Sequence, residues 1–362
     1  MLRRFAFLII IVAVTSISQA ATPEPVTRIG EAEAIEALRQ RATELAKQDL
    51  FAGQLLVARN GKVLLEQAWG LADRETGAAV NADTQFRIGS MNKMFTAVAI
   101  LQMVEAKKIA MSDTLSKFLP DYPNKELASK VTIRHLLNHT GGTGDFFGPS
   151  FASYRLKLRD HDSYITQFGA RPLLKEPGTD FQYSNYGYVL LGAVIERVSG
   201  MSYYDYVDKF VYQPAGMKNT ASLPEEVDVP RRAKGYMRRD GVWTLNTDTL
   251  PYRGMAAGGG YSTARDLFAF AQALQSGKLI SKAMLDEATE ANGAGDGTGL
   301  CFLHDGAGET RMFGHNGSAP GMNGALWIYP RAGYIVIGLS NLDRGATGPM
   351  IFFTRRMPVT SA

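Results

Sequence analysis

The sequence predicts an α/β chain of the α+β type, one antiparallel sheet flanked by helices with a mostly helical inserted domain. Three observations predict it. A hairpin signal lies near the start, helical periodicities fill the middle, and strand-like runs separated by turn residues occupy the last third.

Element by element, Glu31 to Lys47 has apolar residues Ala34, Ile35, Leu38, Ala42 and Leu45 at helical spacing. Gln54 to Arg59 and Val63 to Gly70 then read as strands around Asn60-Gly61, the strongest short hairpin signal. Ser90 to Ala106, Thr132 to Asn138 and Asn185 to Ser199 read as helices. Thr263 with Asp266 three residues later is a capping-box pattern opening a helix from Ala264 to Leu274. Gly299 to His304, Thr310 to Gly314, Gly324 to Tyr329 and Tyr334 to Leu339 are strand-like, and a last helix is expected near Met350 to Arg356. A lone hairpin is barely stable, so the first and last portions are expected to share one sheet. The resulting division is 21–85 with 255–362 as the sheet-plus-helix domain and 86–254 as the mostly helical domain.

Residues 1–20 have the form of an export signal. Arg3 and Arg4 precede an apolar run from Phe5 to Val14, and Ser18 and Ala20 supply small residues at the cleavage site. That run is too short for roughly 30 Å of hydrocarbon, so the expectation is a periplasmic or secreted protein with no stable membrane insertion after signal removal. The net charge is +4, with 39 Lys and Arg against 35 Asp and Glu, and two of the basic residues sit in the signal. Nothing in that balance calls for nucleic acid. Cys301 is the single cysteine and excludes an intrachain disulfide. Its apolar surroundings favour buried packing over nucleophilic chemistry.

Three short motifs carry chemistry. In Ser90-Met91-Asn92-Lys93 at a helix start, positions i and i+3 share a face, so a lysine can take the proton of a serine nucleophile. Tyr183-Ser184-Asn185 offers a phenol able to shuttle a proton and an amide able to hold a carbonyl. In His315-Asn316-Gly317, followed by Ser318, a glycine would let a substrate backbone approach a strand edge. Each motif alone is ordinary, since a turn or a helix cap explains it. His135 and His139, four apart, lack the Glu of a zinc helix and read as structural. Gly258-Gly259-Gly260 lacks the Lys-Ser/Thr of a phosphate loop and reads as a close backbone approach to the site.

Taken together and in this order, the motifs are specific. The sequence resembles the serine beta-lactamase and penicillin-binding protein superfamily, closest to the branch of class C beta-lactamases, D-alanyl-D-alanine carboxypeptidases, D-aminopeptidases and related esterases. Phe86 to Gly89, Thr132 to Gly142, Gly258 to Leu267 and Gly314 to Gly321 share in the resemblance, which spans roughly Leu55 to Asp343. It implies a beta-lactamase/transpeptidase-like fold with Ser90 acylated and Lys93 and Tyr183 sharing the proton transfers. It further implies Asn185, His315, Gly317 and Ser318 at the substrate, with an oxyanion hole of the Ser90 and Ser318 N–H groups. His315 stands where many beta-lactamases have lysine. A histidine of ordinary pKa, about 6.5, carries little charge at pH 7.5, which favours D-peptide or ester substrates over beta-lactams. The partner is a small molecule or short peptide, with no metal and no cofactor. A beta-lactamase proper, an acyltransferase and a non-hydrolytic cell-wall binding module are the alternatives of the same fold.

Overall fold

Asn60 and Gly61 both take positive φ, 48° and 79°, as a tight two-residue hairpin turn demands. They fold Gly53–Arg59 (β1) against Lys62–Trp69 (β2). The computed structural model describes residues 26–290 and 298–359; the export signal expected over 1–20 lies outside them.

Four later strands complete the sheet: Leu303–Asp305 (β3), Met312–Ala319 (β4), Met322–Tyr329 (β5) and Tyr334–Ser340 (β6). Their order is β2-β1-β6-β5-β4-β3, antiparallel throughout. The N-terminal hairpin therefore joins the C-terminal strands directly, from Gly53 opposite Ser340 to Arg59 opposite Tyr334. Side chains alternate between two cores with the period of a strand. Leu55, Val57, Tyr334 and Val336 pack with Ile35 and Leu38 of the helix Glu31–Lys47 (α1). Leu56, Ala58, Ile335 and Ile337 belong to the larger core on the opposite face. Because both faces are covered, β6 is buried at every position and shows no polar alternation.

The larger core extends through Lys93–Glu105 (α2), Ile133–Leu137 (α3), Asn185–Ser199 (α4) and Ala264–Gln275 (α5). The helix Thr347–Thr354 (α6) packs beside α1. Thr263 caps α5 through the Asp266 N–H, but the reciprocal half of the capping box is absent. Asp266 instead accepts from Asn219 N (2.6 Å) and Thr220 Oγ1 (2.7 Å).

Several expectations need correction. The helix expected from Ser90 starts as a 3-10 turn over Gly89–Asn92 and becomes α-helical only at Lys93. Gly299 to Phe302 is a bend rather than a strand, with Cys301 buried at φ 87°. The strand expected to end at Gly314 runs on to Ala319, so His315-Asn316-Gly317 lies inside β4. The middle of the chain also holds a hairpin, Tyr236–Arg239 with Val242–Leu245, turned by Asp240-Gly241 at φ 49° and 82°.

Candidate active site

Ser90 lies in a turn clamped between two backbones. On one side, Ile88 N donates to Gly260 O (3.3 Å) and Gly259 N to Gly89 O (3.2 Å). On the other, β4 presses so close that a Cβ on Gly317 would stand 2.0 Å from Ile88 O and 3.1 Å from Ser90 N. Gly317 is thus required by the nucleophile turn, which corrects the expectation that it makes room for substrate. Gly258 to Gly260 do pass close to the site, as expected.

Lys93 opens α2 with its side chain fully buried. Its Nζ lies 3.3 Å from Ser90 Oγ and donates to Asn185 Oδ1 (2.7 Å) and to the Ala257 carbonyl. Asn92 Nδ2 donates to Met255 O (2.7 Å) and Thr96 Oγ1 to Ala256 O (2.7 Å). Three successive carbonyls are therefore pinned to side chains of the nucleophile segment. Burial lowers the Lys93 pKa from 10.5 to about 7. Cys301 and Asp145 oppose that shift. The Cys301 thiol, itself pushed up to about 12 by burial, stays protonated near neutral pH, which leaves the Asp145 carboxylate as the anion that favours the ammonium.

The Tyr183 segment is positioned from α4. Ser184 caps that helix by accepting from Gly187 N (2.8 Å). Asn185 is its first residue, and Asp145 Oδ2 accepts from both Asn185 N (3.2 Å) and Asn185 Nδ2 (2.7 Å). These bonds aim Asn185 Oδ1 at Lys93 and leave one amide hydrogen for the cavity. Tyr183 is 38% exposed, its ring stacked on His139 at 4.4 Å and 30°. Desolvation raises its pKa, while a hydrogen bond with Ser90 opposes the rise. The resting side chain is therefore a neutral phenol. His139 Nδ1 accepts from Ser184 N (3.1 Å), which places the ring proton on Nε2.

Ser90, Tyr183, Asn185 and Ser318 line a cavity of about 560 Å³. His315 and Gly317 do not. The His315 side chain is 1% exposed, with Nδ1 against the Asn316 carbonyl at 2.5 Å. Burial, then the neighbouring Lys93, lowers its pKa to about 4. It is neutral as expected, but it does not titrate near 6.5, and it is buried near Lys93 rather than lining the cavity. The walls are largely apolar and include Phe146, Phe147, Phe151, Tyr164 and Leu250.

Sequence reasoning missed Asp145 and the part played by His139. Asp145 touches Asn185 across 40 residues, and no spacing announces it. His135 and His139 diverge: His135 joins the capping box of α3, and His139 stacks under Tyr183. Among the described residues no group of three or more His, Cys, Asp or Glu could hold a metal ion, and no helix is long and apolar enough to cross a membrane.

A protein-family model described as Beta-lactamase matches residues 34–351. Over 323 residues the chain is 30% identical to penicillin-binding protein 4* of Bacillus subtilis, covering 83% of this chain and 70% of that protein. It is 34% identical over 217 residues to esterase EstB of Burkholderia gladioli, covering 55% of each. The solved structure of a D-stereospecific amidohydrolase from Streptomyces sp. superposes with a TM-score of 0.71 at 28% identity, covering 87% of this chain and 97% of that one.

Proposed function

The chain belongs to the Beta-lactamase family, whose fold serves serine hydrolases with esterase and amidase members, and from that premise we propose that it is an exported hydrolase acting on amide or ester bonds through an acyl-Ser90 intermediate. The observation that carries this reading is the 3.3 Å contact between Ser90 Oγ, which lines the cavity, and the buried Lys93 Nζ. With a pKa near 7, Lys93 is substantially neutral at physiological pH and can act as a base. Ser90 Oγ attacks the carbonyl carbon as its proton passes to Lys93. The oxyanion is met by the N–H groups of Ser90 and Ser318. Tyr183, beside both Ser90 and Lys93, carries the proton on to the leaving amine or alcohol. Water then attacks the acyl-Ser90 ester by the reverse route.

The preferred substrates are D-peptides or esters with a sizeable apolar group, in keeping with the aromatic wall around Phe146, Phe151 and Tyr164. The relatives described as an esterase and a D-stereospecific amidohydrolase support the same choice. The buried, neutral His315 offers no cation to the carboxylate of a beta-lactam, so any charge that meets a substrate anion must come from elsewhere in the cavity.

The test is to treat the protein with a fluorophosphonate, map the adduct by peptide mass, and assay an ester, a D-peptide amide and a cephalosporin. The expected result is one label on Ser90, none in Ser90→Ala, and turnover of the ester or D-peptide above that of the cephalosporin. A label on another serine, or equal labelling of Ser90→Ala, would overturn the assignment.

A further inference from the structure

Arg253 is the one cation among the described residues that line the cavity. It is half-buried and held in place by two contacts. Its Nε donates to Ser222 O (2.7 Å), and its guanidinium stacks over the Tyr204 ring, 3.2 Å from the centroid. Neither contact neutralises it. Among the described residues no carboxylate pairs with Arg253, and its two terminal amino groups are left without hydrogen-bond partners. Asp248, on the same wall, is engaged by Arg239 at 3.0 Å.

The backbone ties Arg253 to the nucleophile turn. Gly254 packs against Gly259, whose N–H bonds the carbonyl of Gly89. The surroundings are apolar, with Leu250, Pro251 and Met255 on the same stretch. A fixed guanidinium with its two terminal groups free matches a carboxylate in a bidentate manner, and an apolar wall strengthens that bond. His315, buried and neutral, supplies no such charge.

We infer that Arg253 forms an anion subsite of the catalytic cavity, selecting substrates that carry a carboxylate some atoms away from the scissile carbonyl. The inference rests on the acyl-transfer reading for turnover but not for binding, and the test keeps the two apart. Ser90→Ala protein, which leaves the ester intact, is titrated calorimetrically with mono-p-nitrophenyl glutarate and with its neutral carboxamide counterpart. The carboxylate ester is expected to bind about tenfold or more tightly than the carboxamide. That preference should vanish in Ser90→Ala with Arg253→Gln, and survive in part with Arg253→Lys, which keeps the charge and loses the fork.

Equal affinities for the two esters in Ser90→Ala overturn the inference. So does a preference that Arg253→Gln leaves unchanged. Should the Gln variant fail to fold, the Lys variant decides by the same ratio: an undiminished preference counts against the fork, and a diminished one supports it. Turnover of the two esters by the unaltered protein is read separately. Its absence alongside a binding preference would refute hydrolysis and leave the Arg253 subsite standing.

Discussion

On the β4 side of Ser90 the backbone itself comes up to the nucleophile, with Gly317 packed where any side chain would strike Ile88 O. On the α4 side the backbone stands off, and side chains reach in: Tyr183 stacked on His139, Asn185 held by Asp145, and Lys93 bonded to Asn185. The difference follows from what each side supplies. Backbone N–H groups can stabilise an oxyanion only if the chain comes close, so that side is limited by space. Proton transfer needs titratable side chains, so the other side is limited by hydrogen bonds and burial. Substitutions should therefore couple stability and activity on the first side and separate them on the second.

The largest separation is expected from Tyr183→Phe. It removes one oxygen from a ring that is partly exposed and keeps its stacking on His139. The rate should fall by about a hundredfold to ten-thousandfold, with the melting temperature nearly unchanged. A loss below about fivefold at equal melting would make Tyr183 a packing ring and move the proton route elsewhere.

Gly317→Ala comes next and should show the coupling. Relieving the 2.0 Å approach to Ile88 O must displace either β4 or the Ser90 turn. Overpacking of this kind costs about 1–3 kcal/mol, and a displacement on the order of 1 Å at the reacting groups costs about a hundredfold in rate. Melting curves and initial rates on the same preparation check both. Full activity in a destabilised protein would show that the oxyanion donors lie outside this strand.

Asp145→Asn should have the smallest effect on rate, roughly a few-fold to tenfold: an amide oxygen can still accept from Asn185, while the Phe146 and Phe147 N–H groups lose the Oδ1 acceptor they now share. Its sharper signature is in pH. Asp145 favours the Lys93 ammonium, so its removal lowers the Lys93 pKa further below about 7. The acidic limb of kcat/KM then moves to lower pH. A limb that moves upward, or stays fixed, would contradict the charge pairing.

The same contrast explains what the sequence could reveal. The hairpin at Asn60-Gly61, the β4-β5 and β5-β6 turns and the Ser90 to Lys93 contact join residues close along the chain, and residue type and spacing report those. The need for a glycine at 317 was legible, but its reason was not, since the clash is with Ile88, 229 positions earlier. His315 was legible as a weak cation, yet its burial depends on how β4 packs against the Ser90 turn. Asp145 had no pattern at all: it sits in a loop and acts on Asn185 through tertiary packing alone. Arg253 likewise reads as a loop residue until the Gly254 to Gly260 segment is seen folded against Gly89.

Burial turns Lys93 into a base for Ser90 near neutral pH. The most direct measurement is the second-order rate at which an uncharged fluorophosphonate phosphonylates Ser90, forming an O–P bond with loss of fluoride, followed from pH 5 to pH 10 as buffer conditions allow. The rate is expected to rise with loss of a single proton and to reach half its maximum near pH 7, where Lys93 becomes neutral. A midpoint close to 10.5, the ordinary lysine value, or a rate independent of pH across that range, would contradict it.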